Sequence, residues 1–364
     1  MATPSLFDPV TVGRVRARNR AVMAPMTRSR AGEGGVPTAS METYYAQRAG
    51  AGLIVTEGTQ PSPGGQGYPS TPGLHTDDQV AGWRRVTDAV HAEGGAAFVQ
   101  LMHTGRIGHP SLLPDGLVNV APSAVRAAGQ VFTPDGPQDM VEPRALETEE
   151  LPQVVEEYVD AARRAVAAGF DGVELHSANG YLLHQFLASG SNRRTDGYGG
   201  SPEARARFVV EVAQAVAGAI GADRVGIRIS PGNPFNDVSE DDVLETYSAL
   251  LRALDPLGLA YLSLIEARDD AVNERVLELW SGTLVVNPSP YVQTREPADR
   301  AGAERWLARG ADLVAFGRAF ISNPDLVERL RRGAPLADGD ASTFYGGDDR
   351  GYVDYPTLEE QRAA

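Results

Sequence analysis

The sequence predicts an α/β fold, a (β/α)8 barrel (TIM barrel) with an inserted cap after its third strand. Two observations carry this. Eight short runs rich in apolar and β-branched residues recur along the chain, separated by amphipathic stretches of helical period. Those runs do not alternate apolar with polar, the pattern of strands buried on both faces of a parallel sheet. A third observation weakens the main competitor. No Gly-x-Gly-x-x-Gly follows the first run, which disfavours an open, doubly wound dinucleotide fold.

The strand candidates are, in order, "RAVMAPM", "AGLIVTEG", "AAFVQLMH", "FDGVELHS", "RVGIRIS", "LAYLSLIE", "GTLVVN" and "ADLVAFG". Helical stretches such as "DQVAGWRRVTDAVHAEG", "LPQVVEEYVDAARRAVAAG", "ARARFVVEVAQAVAGAIG" and "EDDVLETYSALLRALDPLG" lie between them, several closing on Gly as helix C-termini prefer. One interval is uneven. A structureless loop as long as the segment after "AAFVQLMH" is uncommon, so residues from roughly 106 to 148 are expected to form an inserted cap with some strand pairing, over the barrel mouth. The chain, 1–364, otherwise reads as a single barrel domain with no internal repeat or linker. The segment "IEARDDAVNERV" carries no assignment.

Composition narrows the chemistry. The chain has no Cys, which excludes disulfides, thiolate zinc sites, cysteine-ligated iron–sulfur clusters and a catalytic thiol. All 33 basic residues are Arg, so Schiff-base catalysis by Lys is excluded too. Against 48 acidic side chains they leave a net charge of −15, which repels nucleic acid and anionic membranes. An anionic ligand must then be held by locally placed arginines or amides. The sequence has neither a signal-peptide core nor a run approaching ~18 apolar residues, so a soluble cytoplasmic protein is expected.

In a barrel of this kind the site lies at the C-terminal ends of the strands. Those ends present Pro25, Met26 and Thr27; Gly58; Gln100, Met102 and His103; His176, followed by Asn179 and Tyr181; Arg228; and finally Gly317 and Arg318. Arg228 sits inside an apolar strand, where a cation is costly unless something neutralises it. An anionic or electron-rich ligand above the barrel would do so; a pairing with Glu57 or Glu174 across the barrel is the plain alternative. Gln100 both donates and accepts, which suits the edge of a flavin ring but also an ordinary structural contact. Gly317-Arg318, after the last strand, fits phosphate binding. His176 and Asn179 admit plain readings as a core histidine and a helix N-cap. Aimed at one point, they suit a carbonyl or nitro oxygen that gains charge in a transition state, with Tyr181 nearby as proton source. A metal site is not expected, because His184 falls inside the following helix.

The stretches "LFDPVTVGRVRARNRAVMAPMTRSR", "VQLMHTGRIGHPS", "GFDGVELHSANGYLLHQFLASGSNRRTDGYGGSPEARARF", "GIRISP", "DLVAFGRAFISNPDL" and "FYGGDDRGYVDYP" make the chain similar, nearly end to end, to the Old Yellow Enzymes, flavin-dependent ene-reductases. The resemblance implies a barrel that binds FMN noncovalently. Pro25, Met26, Thr27, Gly58, Gln100 and Arg228 would meet the isoalloxazine, and Gly317 and Arg318 the phosphate. His176 and Asn179 would bind the substrate's activating group and Tyr181 would protonate it, in a pocket lined by Tyr68, Met102, Asn236 and Tyr345. It implies a ping-pong reaction in which NADPH or NADH reduces the flavin and a small-molecule activated alkene then takes the same place. Monomer or homodimer is the expected state.

The sequence departs from the family pattern at three places, one of them the unassigned "IEARDDAVNERV" after strand 6. Met102 stands where related enzymes often have Trp, so substrate range and facial selectivity do not carry over. Around strand 7, "VVNPSPYVQ" replaces a Gly-rich turn, and Pro288 and Pro290 offer no amide hydrogen to a phosphate. Three rivals are weighed. A glycoside hydrolase would need two facing carboxylates at strand ends; Glu57 and Glu174 are a possible pair but poorly placed, since Glu57 is followed by Gly58 and Glu174 precedes its strand end. A flavin protein that no longer turns over would be free to lose the polarising pair or the tyrosine. A relative using an iron–sulfur cluster fails for want of Cys.

Overall fold

The computed structural model describes residues 3–288 and 298–363. Eight parallel strands close into a barrel: β1 (Ala21–Met23), β2 (Leu53–Val55), β3 (Ala97–Leu101), β4 (Gly172–Ser177), β5 (Val225–Ile229), β6 (Tyr261–Ile265), β7 (Leu284–Asn287) and β8 (Leu313–Phe316). Each pairs with its neighbours in sequence, and β8 closes on β1. All eight sequence runs are therefore strands, in the predicted order.

The strands are apolar on both faces because each face meets a different core. Outward residues such as Val99, Leu175, Ile227, Leu264, Val286 and Phe316 pack into one large cluster with Trp83, Tyr158, Val212, Leu250 and Trp306 of the surrounding helices. Inward residues Val22, Leu53, Val55, Phe98, Tyr261, Val285, Leu313 and Ala315 form a second cluster inside the barrel. That inner cluster includes Val12, Val15 and Ala17 of an antiparallel hairpin, Val10–Val12 with Val15–Ala17, which plugs the end away from the strand C-termini.

The helix borders follow the local chemistry. The helix Asp77–Ala92 starts at a reciprocal capping box between Thr76 and Gln79. The helix Leu151–Ala167 stops just before Gly169, whose φ of +91° few other residues tolerate. "IEARDDAVNERV" becomes the start of the helix Asp270–Leu279, capped by the Asp269 side chain.

Between β3 and the helix from Leu151, the chain forms a parallel pair, Val120–Ala121 with Arg144–Ala145, and a hairpin, Gln130–Thr133 with Gly136–Asp139. Gln130, Val131 and Phe132 of the hairpin reach the cavity over the barrel. At the opposite rim, Arg28 donates to the carbonyls of Phe344 and Gly351 (2.8 and 2.9 Å), and Arg30 to that of Asp348 (3.0 Å). These bonds pin the segment that carries Phe344 and Tyr345 against the end of β1. Among the described residues no helix is long and apolar enough to cross a membrane.

Candidate active site

One cavity of about 790 Å³ opens at the C-terminal ends of the strands. Period two along the strands explains its floor. On β3, Phe98 belongs to the apolar interior, and Gln100, two residues on, lines the cavity. On β7, Val285 is apolar and Asn287 lines the cavity; on β5, Arg228 points inward between Ile227 and Ile229, which face the helices. Register then brings polar residues side by side, Glu174 beside Gln100 and His176 beside Arg228.

Arg228 is fully buried and donates to Ser263 Oγ (3.0 Å) and Asn287 Oδ1 (2.9 Å). Burial lowers its pKa from the ordinary arginine value and the nearby Glu174 opposes that shift, so the guanidinium remains a cation at neutral pH. The plain alternative is thus half met: Glu174 is an electrostatic neighbour, whereas Glu57 lies elsewhere. Glu174 itself accepts from Gln100 Nε2 (2.8 Å) and the Tyr261 hydroxyl (3.0 Å), which leaves the carbonyl oxygen of Gln100 as an acceptor. Neither carboxylate lines the cavity. Glu57 is bound to the Tyr45 hydroxyl (3.2 Å), and burial pushes its pKa up to about 7. That removes the geometric basis for a glycosidase.

His176, at the end of β4, is buried and lines the cavity. Burial, then the charge of Arg228 and the ring of His184, holds its pKa well below the ordinary histidine value, so the imidazole is neutral. Its Nδ1 has no protein partner. Tyr181 packs edge-on against the His176 ring at 5.0 Å, and its hydroxyl lies 3.0 Å from that of Tyr68. Burial raises the Tyr181 pKa, while hydrogen bonds from Tyr68 and Asn236 pull it back, so the phenol keeps its proton at neutral pH. Asn179 has a φ of +54°, in the left-handed region where Asn is better tolerated than most residues. The next residue must be Gly: a Cβ on Gly180 would lie 2.8 Å from Asn236 Cβ and 2.9 Å from the Phe235 carbonyl.

Pro25, Met26, Thr27, Gly58, Gln100, Arg228, Gly317 and Arg318 all line this cavity, as do Tyr68, Met102 and Tyr345 beside His176, Asn179 and Tyr181. Asn236, expected in the same wall, sits one layer back and donates to the Asn179 carbonyl at 2.8 Å. Met102 packs so closely over Gly58 that a Cβ there would lie 2.6 Å from its sulfur. A Cβ on Gly317 would meet Met26 sulfur only at 3.7 Å, leaving open space beside the backbone for a ligand. Pro290 lies outside the described residues, and Pro288 is buried against the helix Arg300–Arg309, 3.4 Å from where a Cβ on Gly302 would sit.

Sequence reading missed Asn287 and Ser263, which hold Arg228. Asn287 was legible as a polar strand end by the same rule that picked Gln100; Ser263, inside "YLSLI", carried no such signal. Among the described residues no group of three His, Asp or Glu could hold a metal ion.

The fit to FMN rests on three features of this cavity. A buried cation lies beside a Gln acceptor, as a pyrimidine edge requires; Gly317 and Arg318 offer space and charge for a phosphate; and the neutral His176 ring lines the same chamber.

Comparison with known proteins agrees. The model of the NADH:flavin oxidoreductase / NADH oxidase family matches residues 5–337. A probable flavin mononucleotide-dependent alkene reductase of Leishmania infantum is 43% identical over 363 residues, covering 97% of both chains. The structure of morphinone reductase in complex with tetrahydroNAD superposes with a TM-score of 0.92 at 47% identity, covering 98% of each chain. That of an old yellow enzyme homologue from Zymomonas mobilis gives 0.93 at 38% identity, covering 98% of this chain and 100% of that one. With fold, cavity and sequence in agreement over nearly its whole length, this chain belongs to the NADH:flavin oxidoreductase / NADH oxidase family, that of the Old Yellow Enzymes.

Proposed function

We propose that this protein is an FMN-dependent ene-reductase that uses NAD(P)H to reduce α,β-unsaturated carbonyl or nitro compounds, adding hydride at the β-carbon and a proton at the α-carbon. The observation that carries the reading is the meeting, in one cavity, of a neutral His176, Asn179 and a protonated Tyr181 with the buried Arg228–Gln100 edge. When bound, FMN supplies the two-electron chemistry, accepting hydride from the nicotinamide and giving it to the alkene in a ping-pong sequence.

The chain's own residues do the rest. Pro25, Met26, Thr27, Gly58 and Gln100 hold the ring system, and Gly317 and Arg318 the phosphate. Arg228 places a fixed positive charge where reduction adds electrons. His176 and Asn179 donate hydrogen bonds to the substrate's carbonyl or nitro oxygen, making the β-carbon electrophilic. In a dry site each such donor is worth about 2.7–4 kcal/mol of transition-state stabilisation. A neutral imidazole polarises that oxygen without protonating it. Tyr181 gives its phenolic proton to the α-carbon, and the Tyr68 hydroxyl and the Asn236 amide stand ready to support the resulting phenolate. Tyr345 and Met102 shape the pocket. Residues 106–148 act as a cap of the same single domain, roofing the cavity through Phe132.

The finer readings are NADPH as reductant with NADH as the alternative, a cytoplasmic setting, and a monomer or homodimer. Anaerobic visible-absorbance titration with NADPH followed by 2-cyclohexenone tests the core of the proposal. Bleaching of the flavin band and its return on adding the enone are expected. Bleaching without return would overturn the substrate class, and a colourless protein that FMN cannot reconstitute would overturn the whole reading. Comparing kcat/KM for the two nicotinamides decides the reductant.

A further inference from the structure

Asn179 is useful to an anionic transition state only if its nitrogen, not its oxygen, faces the cavity, since only the amide N–H donates. The structure determines which end that is through a neighbour on the loop after β5. Asn233 is buried, and its Oδ1 accepts the backbone N–H of Phe235 at 3.0 Å. A backbone N–H can only donate, so this contact settles the orientation of the Asn233 amide. Its Nδ2 must therefore point the other way, and it meets Asn179 Oδ1 at 3.2 Å. The donor–acceptor alternation then runs in one direction, from the Phe235 backbone through Asn233 to Asn179, and leaves Asn179 Nδ2 as the end presented to the cavity it lines.

The loop grips the backbone of Asn179 as well. Asn179 N–H donates to Ser230 Oγ (2.8 Å), Asn236 Nδ2 donates to the Asn179 carbonyl (2.8 Å), and Gly180 N–H donates to His184 Nδ1 (3.0 Å). A left-handed residue persists where its surroundings over-determine it, and these contacts do so here. With the main chain held, rotation about the Asn179 amide is the freedom left, and Asn233 is placed to remove it.

We propose that Asn233 is a positioning residue that fixes the polarity of Asn179, so that the site offers a hydrogen-bond donor and not an acceptor to the substrate's activating oxygen. The inference rests on the reading of Asn179 as a substrate-binding residue. It gives Asn233 no contact with substrate.

The test compares Asn233→Asp, Asn233→Ala and Asn179→Ala, singly and combined, using 2-cyclohexenone as substrate and flavin absorbance and Tm as controls. In Asn233→Asp the Phe235 N–H is still accepted, but the other oxygen demands a donor. Asn179 must then turn its nitrogen to the loop and its oxygen to the cavity. The expected loss in kcat/KM matches that of Asn179→Ala, about 100-fold for one oxyanion donor. Asn233→Ala only frees the amide and should cost about fivefold, the worth of one ordinary hydrogen bond. A merely structural role gives the reverse order, because Asp is nearly isosteric and Ala leaves a void. In the Asn179→Ala background, Asn233→Asp should add nothing.

An Asp cost no greater than the Ala cost, or one that persists in the Asn179→Ala background, overturns the inference. Full activity of Asn179→Ala overturns instead the reading on which it rests. If Asn233→Asp fails to hold flavin, Asn233→Ala decides by the same cycle: coupling with Asn179→Ala supports the proposal and simple additivity overturns it.

Discussion

The two ends of the barrel interior are built on the same strands and behave oppositely. Toward the plugged end, Phe98, Tyr261, Val285, Leu313 and the hairpin residues Val12 and Val15 form an apolar cluster that needs nothing from outside. Two residues further on, Gln100, Ser263 and Asn287 replace them, joined by Glu174, His176 and Arg228. This upper layer is largely satisfied from within: Gln100 and Tyr261 hold Glu174, and Ser263 and Asn287 hold Arg228. His176 is the exception: its ring lines the cavity, and its buried Nδ1 has no protein partner. Tyr261 belongs to both layers, its ring tilted against Phe98 at 5.6 Å and its hydroxyl on Glu174. A step of about 6.6 Å along a strand thus separates the part of the barrel that stabilises from the part that reacts.

The difference can be broken from above. Replacing His176 and Asn179 together with Ala should lower kcat/KM for 2-cyclohexenone by about 10⁴-fold, the sum of two oxyanion donors. Flavin absorbance and Tm should stay near wild type, and a large fall in either would make the upper layer structural as well. Breaking it from below has the opposite signature. Phe98→Ala removes a fully buried ring and should cost about 3–5 kcal/mol in urea unfolding, with kcat per bound flavin unchanged.

Arg228→Ala sharpens the comparison, because this residue serves ligand and scaffold together. It leaves Ser263 and Asn287 without their charged partner and should weaken FMN binding by about 10–100-fold, equivalent to roughly 1.5–3 kcal/mol for a charged hydrogen-bonding group. Fluorescence titration of the apoprotein with FMN measures it, and full affinity would show that the cation works within the barrel alone.

The smallest expected effect is a pH dependence at the end of β3. Burial holds the His103 pKa near 4, and its Nδ1 accepts the Gly105 N–H at 3.0 Å, which only the unprotonated ring allows. The unfolded chain protonates this histidine near pH 6.5, well before the folded one does. Its contribution to stability is therefore fully present above about pH 6.5 and falls by ~1.4 kcal/mol per unit as the pH drops toward 4. The stability gap between wild type and His103→Phe should shift in that direction between pH 7 and pH 5. A constant gap would mean that His103 titrates alike in both states. Glu57, pushed up to about 7, contributes the reverse slope, so the variant difference isolates His103 where the wild-type curve does not.

Much of the site was legible because strand ends can be located by pattern. Gln100, His176 and Arg228 follow from one rule applied strand by strand, and the resemblance of "HSANGYLLHQF" to a known family assigned their partners. Asn236 shows where the rule stops. It was expected in the pocket wall, but the turn at Asn236 and Asp237, with φ of +60° and +58°, sets it behind that wall, its amide on the Asn179 carbonyl and against the Tyr181 hydroxyl. Gly232, Asn233-Pro234 and Asn236-Asp237 mark a turn in "SPGNPFNDV", but not where it aims the Asn236 amide. Glu174 was read as poorly placed for acid–base work, correctly, yet its task of orienting Gln100 depends on a neighbour 74 residues away.

The sequence by itself determined the eight-stranded barrel, the helices between its strands, and which side chains stand at the reacting end, because period two, period 3.6 and terminal glycines are local signals. Only the tertiary structure decided how those side chains are oriented and charged. The neutrality of His176 is set chiefly by its burial, and the acceptor face of Gln100 and the donor end of Asn179 by partners from another strand and a loop, at 2.8 and 3.2 Å. Hydrogen-bond direction is a property of pairs, and these pairs exist only once the barrel has closed.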